Sequence, residues 1–132
     1  MSRHGYSDDC DDYLQHGRWR GQVASAIRGK RGQEFLKELI QVLEAMPEKK
    51  LIRHELVKDG QFCTLGAIGH ARGINIEAID PSDHEELSKK LNIAHQLVQE
   101  IEYENDENCW PTDEMRWSKM YQWAKNHLKE SK

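Results

Sequence analysis

The segment Gly17-Arg-Trp-Arg-Gly-Gln-Val-Ala-Ser-Ala-Ile-Arg-Gly-Lys-Arg-Gly32 runs directly into a second amphipathic segment, and together the two decide the fold class. In the first segment, apolar residues recur at the i, i+4, i+7 and i+8 positions that fall on one arc of a helix. These residues are Trp19, Val23, Ala26 and Ile27. The second segment, Gln33–Met46, has a broad apolar stripe opposite its glutamates and lysine, and Pro47 ends the pattern. Both segments are therefore predicted to be α-helices with one buried face.

The first segment reverses the sign of the chain's charge. The whole chain has a net charge of −4, whereas this segment has no acidic residue and five basic ones. The five are Arg18, Arg20, Arg28, Lys30 and Arg31. Gly29 and Gly32 bracket two of these cations, so we expect the chain to turn there, just before the second helix. The N–H groups and positive dipole of a helix N-terminus favour an anion, and arginine binds phosphate in a bidentate manner. The five cations are the predicted site for an anion, a nucleotide or a macromolecular partner. The alternative is that they solvate a helix end and pair with acidic residues of the same fold.

The rest of the chain also has mostly helical patterns. Thr64–Arg72 is small and apolar, which predicts a helix that a neighbouring helix approaches closely at its glycines. Asp80-Pro81 has the residues of a helix start, with Asp80 as the cap. Further helices are predicted up to about Leu91, over 93–106, and from about residue 111 toward the C-terminus.

Residues 51–63 fit two descriptions equally well. One is a short β-hairpin around Asp59-Gly60, and the other is a helical turn followed by a loop. The predicted fold class is all-α, a compact bundle of five or six helices, with a short β-hairpin near residues 51–63 as an option.

Length and composition predict one domain with a polar extension. With 132 residues the chain is large enough for one hydrophobic core. We expect a flexible acidic N-terminal tail over residues 1–16, followed by a single helical domain over 17–132. Four aspartates give the tail its charge: Asp8, Asp9, Asp11 and Asp12. No apolar run has the length of a membrane span, and the N-terminus lacks the apolar core of a signal peptide. No membrane association and a cytoplasmic location are therefore expected.

The predicted helix over 93–106, together with the helix before it, has the spacing of a helix-turn-helix. Its outer face is acidic, however, and carboxylates oppose binding to phosphates. We therefore predict a helical hairpin used for packing, with either a solvated acidic face or a contact surface for a basic partner. The residues of this predicted acidic surface are Glu100, Glu102, Glu104, Asp106 and Glu107.

Residues with the spacing of a catalytic or metal site are not evident. The seven histidines do not pair at i, i+4 on a predicted helix, and no serine or cysteine has a recognisable base and orienting group. The three cysteines, Cys10, Cys63 and Cys109, are far apart, so neither disulfides nor zinc binding are indicated, and Cys63 is expected to be a buried small hydrophobe. We predict no metal, no cofactor and no enzymatic activity.

Three stretches resemble a group of small uncharacterised proteins of bacteriophage and prophage genomes: Trp19–Gln33, Asp59–Ala67 and Tyr103–Asp106. This group has no assigned activity, so the resemblance implies only a context. Small phage accessory proteins often bind a host component, including defence systems, without catalysing a reaction. The resulting expectation is a non-enzymatic accessory protein that binds a host protein of nucleic-acid metabolism or defence. Two alternatives remain, which are binding of a nucleotide or phosphate ligand through residues 18–31 and direct binding of DNA or RNA.

Overall fold

A computed structural model of the protein describes residues 13–107 and 112–129, with side chains over 19–106 and 112–129. Within these ranges the chain forms six α-helices, one antiparallel hairpin and a 3₁₀ turn. In chain order they are α1 (Tyr13–Arg28), α2 (Lys30–Ala45), β1 (Val57–Lys58), β2 (Gln61–Phe62), α3 (Thr64–Ala71), the 3₁₀ turn (Ile76–Ala78), α4 (His84–Leu91), α5 (His95–Glu107) and α6 (Asp113–His127). The predicted all-α class is confirmed. A bilayer-spanning helix, which must be long and apolar, does not occur among the described residues.

The hairpin option for residues 51–63 is also confirmed, although each strand has only two residues. Val57 pairs with Phe62 and Lys58 pairs with Gln61. The two turn residues, Asp59 and Gly60, have φ angles of 53° and 76°. Aspartate and glycine are the residue types that accept positive φ at both central positions of a tight hairpin turn, which is why this dipeptide predicted the turn.

The core is built around α2, whose apolar stripe faces α1, α3 and α6. Its four most buried large side chains are Phe35, Leu36, Leu39 and Leu43. α5 completes the core with Leu97, Val98 and Ile101, each of which is completely buried. The predicted inner face of α1 is confirmed, because Val23 and Ile27 are buried and Trp19 and Ala26 pack partly buried against the core.

The junction of α1 and α2 differs from the prediction. α2 begins at Lys30 and not at about Gln33, and the turn consists of Gly29 alone. The Gly29 N–H donates to the carbonyl of Ser25 in α1, and the carbonyl of Gly29 accepts from Gln33 in α2. Gly32, expected in the turn, is instead a buried helical residue. Its Cα lies so close to the carbonyl of Ala26 that a side chain there would collide with α1.

The start of α1 also lies outside the predicted bounds. The helix begins at Tyr13, so the predicted end of the tail at residue 16 falls inside a helix. Residues 1–12, with the four aspartates, lie outside the described residues, as do Cys10 and Cys109.

The glycines of α3 permit close packing as expected, but not against a helix. A side chain at Gly66 would collide with the carbonyl of Leu56, in the loop before the hairpin, and one at Gly69 would collide with the Ile76 side chain in the 3₁₀ turn. The Cys63 thiol is buried and accepts a hydrogen bond from the Gly66 N–H at 3.3 Å, which caps α3.

α4 and α5 pack together, as predicted for a helical hairpin. The N-cap of α4 differs from the prediction. Asp83, not Asp80, caps α4 by accepting from the Glu86 N–H, and Asp80 instead closes a local turn with Ser82. Asn92 ends α4 in the left-handed conformation with φ 57°. Thr112 caps α6 by accepting from the Met115 N–H.

Candidate functional site

The five predicted cations do not form one site, because Arg20 forms an ion pair with Glu100 of the same chain. Its guanidinium donates to both carboxylate oxygens of Glu100, at 2.7 Å and 3.3 Å. Gln96 donates to Gln22 at 3.3 Å, which shows that α1 and α5 run antiparallel. The alternative of an internal partner therefore holds for Arg20. The Arg18 side chain lies outside the described side chains.

The predicted acidic surface of α5 is wrong for three of its five residues, because Glu100, Glu102 and Asp106 are buried. Each of these carboxylates meets a partner from a distant part of the chain. Glu102 Oε1 lies 2.6 Å from the Nε2 atom of His84 in α4. Asp106 accepts from the backbone N–H of His54 at 3.0 Å. Glu104 is half-buried, and the Glu107 side chain lies outside the described side chains. An exposed acidic contact face on α5 is therefore not supported.

A buried polar network at the end of α5 was missed by the sequence analysis. The Asn105 carboxamide accepts from the backbone N–H and hydroxyl of Thr64 and donates to the carbonyl of Ile52. Arg116 of α6 is 3% exposed and donates to the carbonyls of Asn105 and Leu51 at 3.0 Å and 2.9 Å. These contacts join α3, α5 and α6 to the loop before the hairpin. Their role is structural, since buried carbonyls need donors.

The remaining predicted cations, Arg28, Lys30 and Arg31, are exposed at the junction of α1 and α2. None of the three forms an ion pair with a side chain that the structure describes. Arg31 donates to the Asn92 side chain at 3.3 Å. Two helix ends distant in sequence, those of α2 and α4, are thereby brought together.

The C-terminal end of α6 joins the same junction. Gln33 donates to the carbonyls of Ile27 and His127 at 2.7 Å and 3.1 Å and accepts from the Lys129 N–H at 2.7 Å. The ammonium group of Lys129 donates to the carbonyl of Arg28 at 3.2 Å. Exposed cations of the α1–α2 junction and of the segment after α6 thus lie at one end of the bundle, and Lys90 lies on α4 two positions before Asn92, which contacts Arg31. We call this the basic end: Arg28, Lys30, Arg31, Lys90 and Lys129.

Two carboxylates on the helices that form the basic end are paired with other cations. Glu38 accepts from Arg72 at 2.5 Å and 2.9 Å, and these hydrogen bonds hold the pKa of Glu38 below its ordinary value. Glu85 lies 3.7 Å from Lys89 on α4. Glu34, three positions after Arg31, is exposed on α2 and forms no ion pair with a side chain that the structure describes. The basic end consequently presents an excess of positive charge in a chain that is negative as a whole.

Groups of three or more histidine, cysteine or acidic side chains able to hold a metal ion do not occur within residues 13–107 and 112–129. The chemistry that the basic end offers is ionic contact and hydrogen-bond donation from guanidinium and ammonium groups. The N-cap of α2 is Gly29, which has no side chain that could accept a hydrogen bond. The first N–H groups of α2 are therefore not capped by a side chain at that position.

Comparison with known proteins adds no family assignment. No protein-family model, no curated protein and no solved structure matches this chain.

Proposed function

We propose that this protein is a non-enzymatic binding protein whose basic end contacts an acidic surface on a protein partner. The observation that carries the proposal is the convergence of exposed cations from α1–α2, α4 and the segment after α6 on one end of the bundle. Side chains scattered along a chain are more useful for binding when the fold holds them on one surface, because opposite potentials then meet across an interface.

The overall charge favours an acidic protein over nucleic acid as the partner. Nucleic acid presents charge along its whole length, and affinity for it grows with the number of phosphates that the protein neutralises. A chain with a net charge of −4 disfavours such a polymer as a whole, although the basic end attracts it locally. An acidic patch on a folded protein is as local as the basic end itself. The resemblance to small phage proteins extends the proposal to a host component, including one of a defence or nucleic-acid-processing system.

Charge reversal at the basic end tests this proposal. The variant carrying Lys30→Glu and Arg31→Glu is compared with a matched variant carrying Arg53→Glu and Lys58→Glu, which makes the same change in charge at the opposite end. Both are used to capture partners from host lysate, with quantification by mass spectrometry. We expect the first variant to lose a partner that the wild type and the second variant retain, and the captured complex to weaken with added salt.

Two results would contradict the proposal. Capture that is equal for both variants would remove the basic end from the function. Binding of labelled DNA or RNA that is lost only on reversal of Lys30 and Arg31, measured by fluorescence anisotropy, would make nucleic acid the partner.

A second candidate function is the binding of a nucleotide or phosphate ligand at the N-terminus of α2. The absence of a side-chain cap there favours it, because an anion can accept from N–H groups that no side chain satisfies. It predicts a rise in melting temperature with a nucleotide or a cyclic dinucleotide that is lost in Arg28→Ala or Lys30→Ala. A broad nucleotide panel that produces no shift would exclude it.

A further inference from the structure

A groove of about 550 Å³ lies toward the other end of α2, between its last two turns, the hairpin and α3. It exists because small side chains line both helices at this place, Ala45 on α2 and Ala67 and Ala71 on α3. α2 ends at Ala45, and Pro47 with the segment after it forms part of the wall of the groove. The groove is separate from the basic end.

The floor of the groove is apolar and partly aromatic. Val42, Met46 and Phe62 are half-buried and Ala67 is buried. The ring of Phe62 stacks on the imidazole of His70, with centroids 4.5 Å apart and an angle of 26° between the planes. Stacked rings offer flat faces that favour another flat, polarised ring over a saturated one.

The rim of the groove is slightly acidic. It carries Glu48, Lys50 and Asp59. The Lys50 ammonium lies 3.6 Å from the Glu48 carboxylate, so these two charges largely compensate each other. Asp59 is exposed at the tip of the hairpin and forms no ion pair with the side chains that the structure describes. Apart from His70, the two carboxylates and one lysine leave an excess of one negative charge around an aromatic floor.

The size of the groove decides what kind of occupant fits it. Binding sites for small organic molecules have volumes of roughly 300–1,000 Å³, and the groove falls within that range. A stable protein–protein contact needs about 800 Å² of surface on each partner, which a groove bounded by the last two turns of α2, the hairpin and α3 does not provide.

From size, floor and rim together, we infer that the groove binds a small planar aromatic cation, with its ring against Phe62 and its positive group toward Asp59. An aromatic face attracts a cation and a flat ring, and a nearby carboxylate attracts the positive group. This inference does not depend on the proposed function of the basic end.

Benzamidine, a planar aromatic cation, is the probe for the test. It is titrated into the full-length ¹⁵N-labelled protein at pH 8, where histidine is ordinarily neutral. Benzoate has a similar planar ring and the opposite charge, and cyclohexanecarboxamidine has the same charge and a saturated ring. We expect saturable chemical-shift changes at the amides of Phe62, Ala67 and His70 with benzamidine, and binding weaker by about threefold or more with each of the other two probes.

Two variants assign the contributions of charge and ring. Asp59→Asn keeps the shape of the turn, since asparagine accepts positive φ, and is expected to weaken benzamidine about threefold. Glu77→Gln removes an exposed carboxylate outside the groove and is expected to leave the affinity unchanged. Phe62→Leu is expected to remove the preference for benzamidine over the saturated probe.

The inference is overturned if benzoate binds as tightly as benzamidine, if the shifts do not saturate, or if they spread over the surface. Unchanged affinity in Asp59→Asn would overturn it as well. The comparison of probes on the wild-type protein needs no variant, so a folding defect in a variant cannot obscure the result.

Discussion

Arg20 and Glu100, eighty positions apart in the chain, form a two-pronged ion pair that joins α1 to α5. The Glu100 side chain is 6% exposed and that of Arg20 is 48% exposed. The carboxylate therefore loses most of its hydration on folding, and the guanidinium replaces part of it. Removal of the arginine takes this partner away from a buried carboxylate.

Arg20→Met should consequently lower the free energy of unfolding by about 1–3 kcal/mol. The loss should be smaller than the ~3–5 kcal/mol of a fully buried pair, because Arg20 is half in solvent. Urea denaturation measures it, with Arg53→Met as the control for loss of an exposed arginine. In a double-mutant cycle with Glu100→Gln, the second change should cost less once Arg20 is gone. Equal losses for Arg20→Met and Arg53→Met would show that the pair contributes nothing.

Arg116 gives the second prediction, because its buried guanidinium supplies donors to the carbonyls of Leu51 and Asn105. Arg116→Met should lower the free energy of unfolding by about 2–4 kcal/mol, since two buried acceptors lose their donor. Arg116→Lys should recover only part of the lost stability, because one ammonium group cannot reach both carbonyls as the planar guanidinium does. Hydrogen exchange checks the location: amides of residues 51–54 should exchange faster in Arg116→Met, whereas those of Gly21–Ile27 should not. Acceleration confined to α1 would contradict the structural role of Arg116.

The sequence allows prediction of what depends on neighbours in the chain. The apolar stripe of α2 recurs with the helical period, and Asp59-Gly60 accepts the two positive φ angles of a tight turn, so both were predictable without knowledge of any distant residue. The cluster Arg28, Lys30 and Arg31 was also identified from the sequence, but its neighbours Lys90 and Lys129 were not. They reach the basic end only through the packing of α4 and the segment after α6.

The polar residues of α5 show why the remainder was not predictable. On a helical projection Glu100, Glu102 and Asp106 lie outside the apolar arc of α5, so they are expected in solvent, because carboxylates are seldom buried without partners. Their partners are Arg20, His84 and the backbone of His54, which lie far away in the chain. A local pattern contains no information about such partners, so the burial of these three carboxylates appears only when the helices are assembled.

Acid pH gives the third prediction, through Glu38 and Arg72. Hydrogen bonds from Arg72 lower the folded-state pKa of Glu38 below its ordinary value of 4.5. A carboxyl with a lowered folded pKa contributes stability that is present above its unfolded pKa and is lost as the pH falls through the folded pKa. Stability should therefore decrease less between about pH 6 and pH 3 in Glu38→Gln than in the wild type. The difference should be small because Glu38 is one-third exposed.

Urea denaturation at several pH values measures this difference, and Glu34→Gln, an exposed carboxylate one turn earlier on α2, is the control. A Glu38→Gln protein whose acid dependence equals that of the wild type would show that the pair does not contribute.

The last prediction compares two helical glycines, one in α1 and one in the first turn of α2. Gly21 lies in α1, and apart from the backbone of that helix and the two chain neighbours no described atom comes within 4 Å of the position that a Cβ would occupy. Gly21→Ala should raise stability by about 0.5–1 kcal/mol, because alanine loses less backbone entropy in a helix. At Gly32 the same change places a methyl group against the backbone carbonyls of Ala26 and Ile27.

Gly32→Ala should therefore lower stability by about 1–3 kcal/mol, since α1 and α2 must move apart and the gain in helix propensity is too small to compensate. The two substitutions are chemically identical, so residue type alone cannot produce changes in melting temperature of opposite sign. Opposite signs are expected in thermal unfolding followed by circular dichroism. A rise in melting temperature for both would mean that α1 and α2 are separated by more than the backbone contact at Gly32 allows, and that the cations of the junction are placed differently as well.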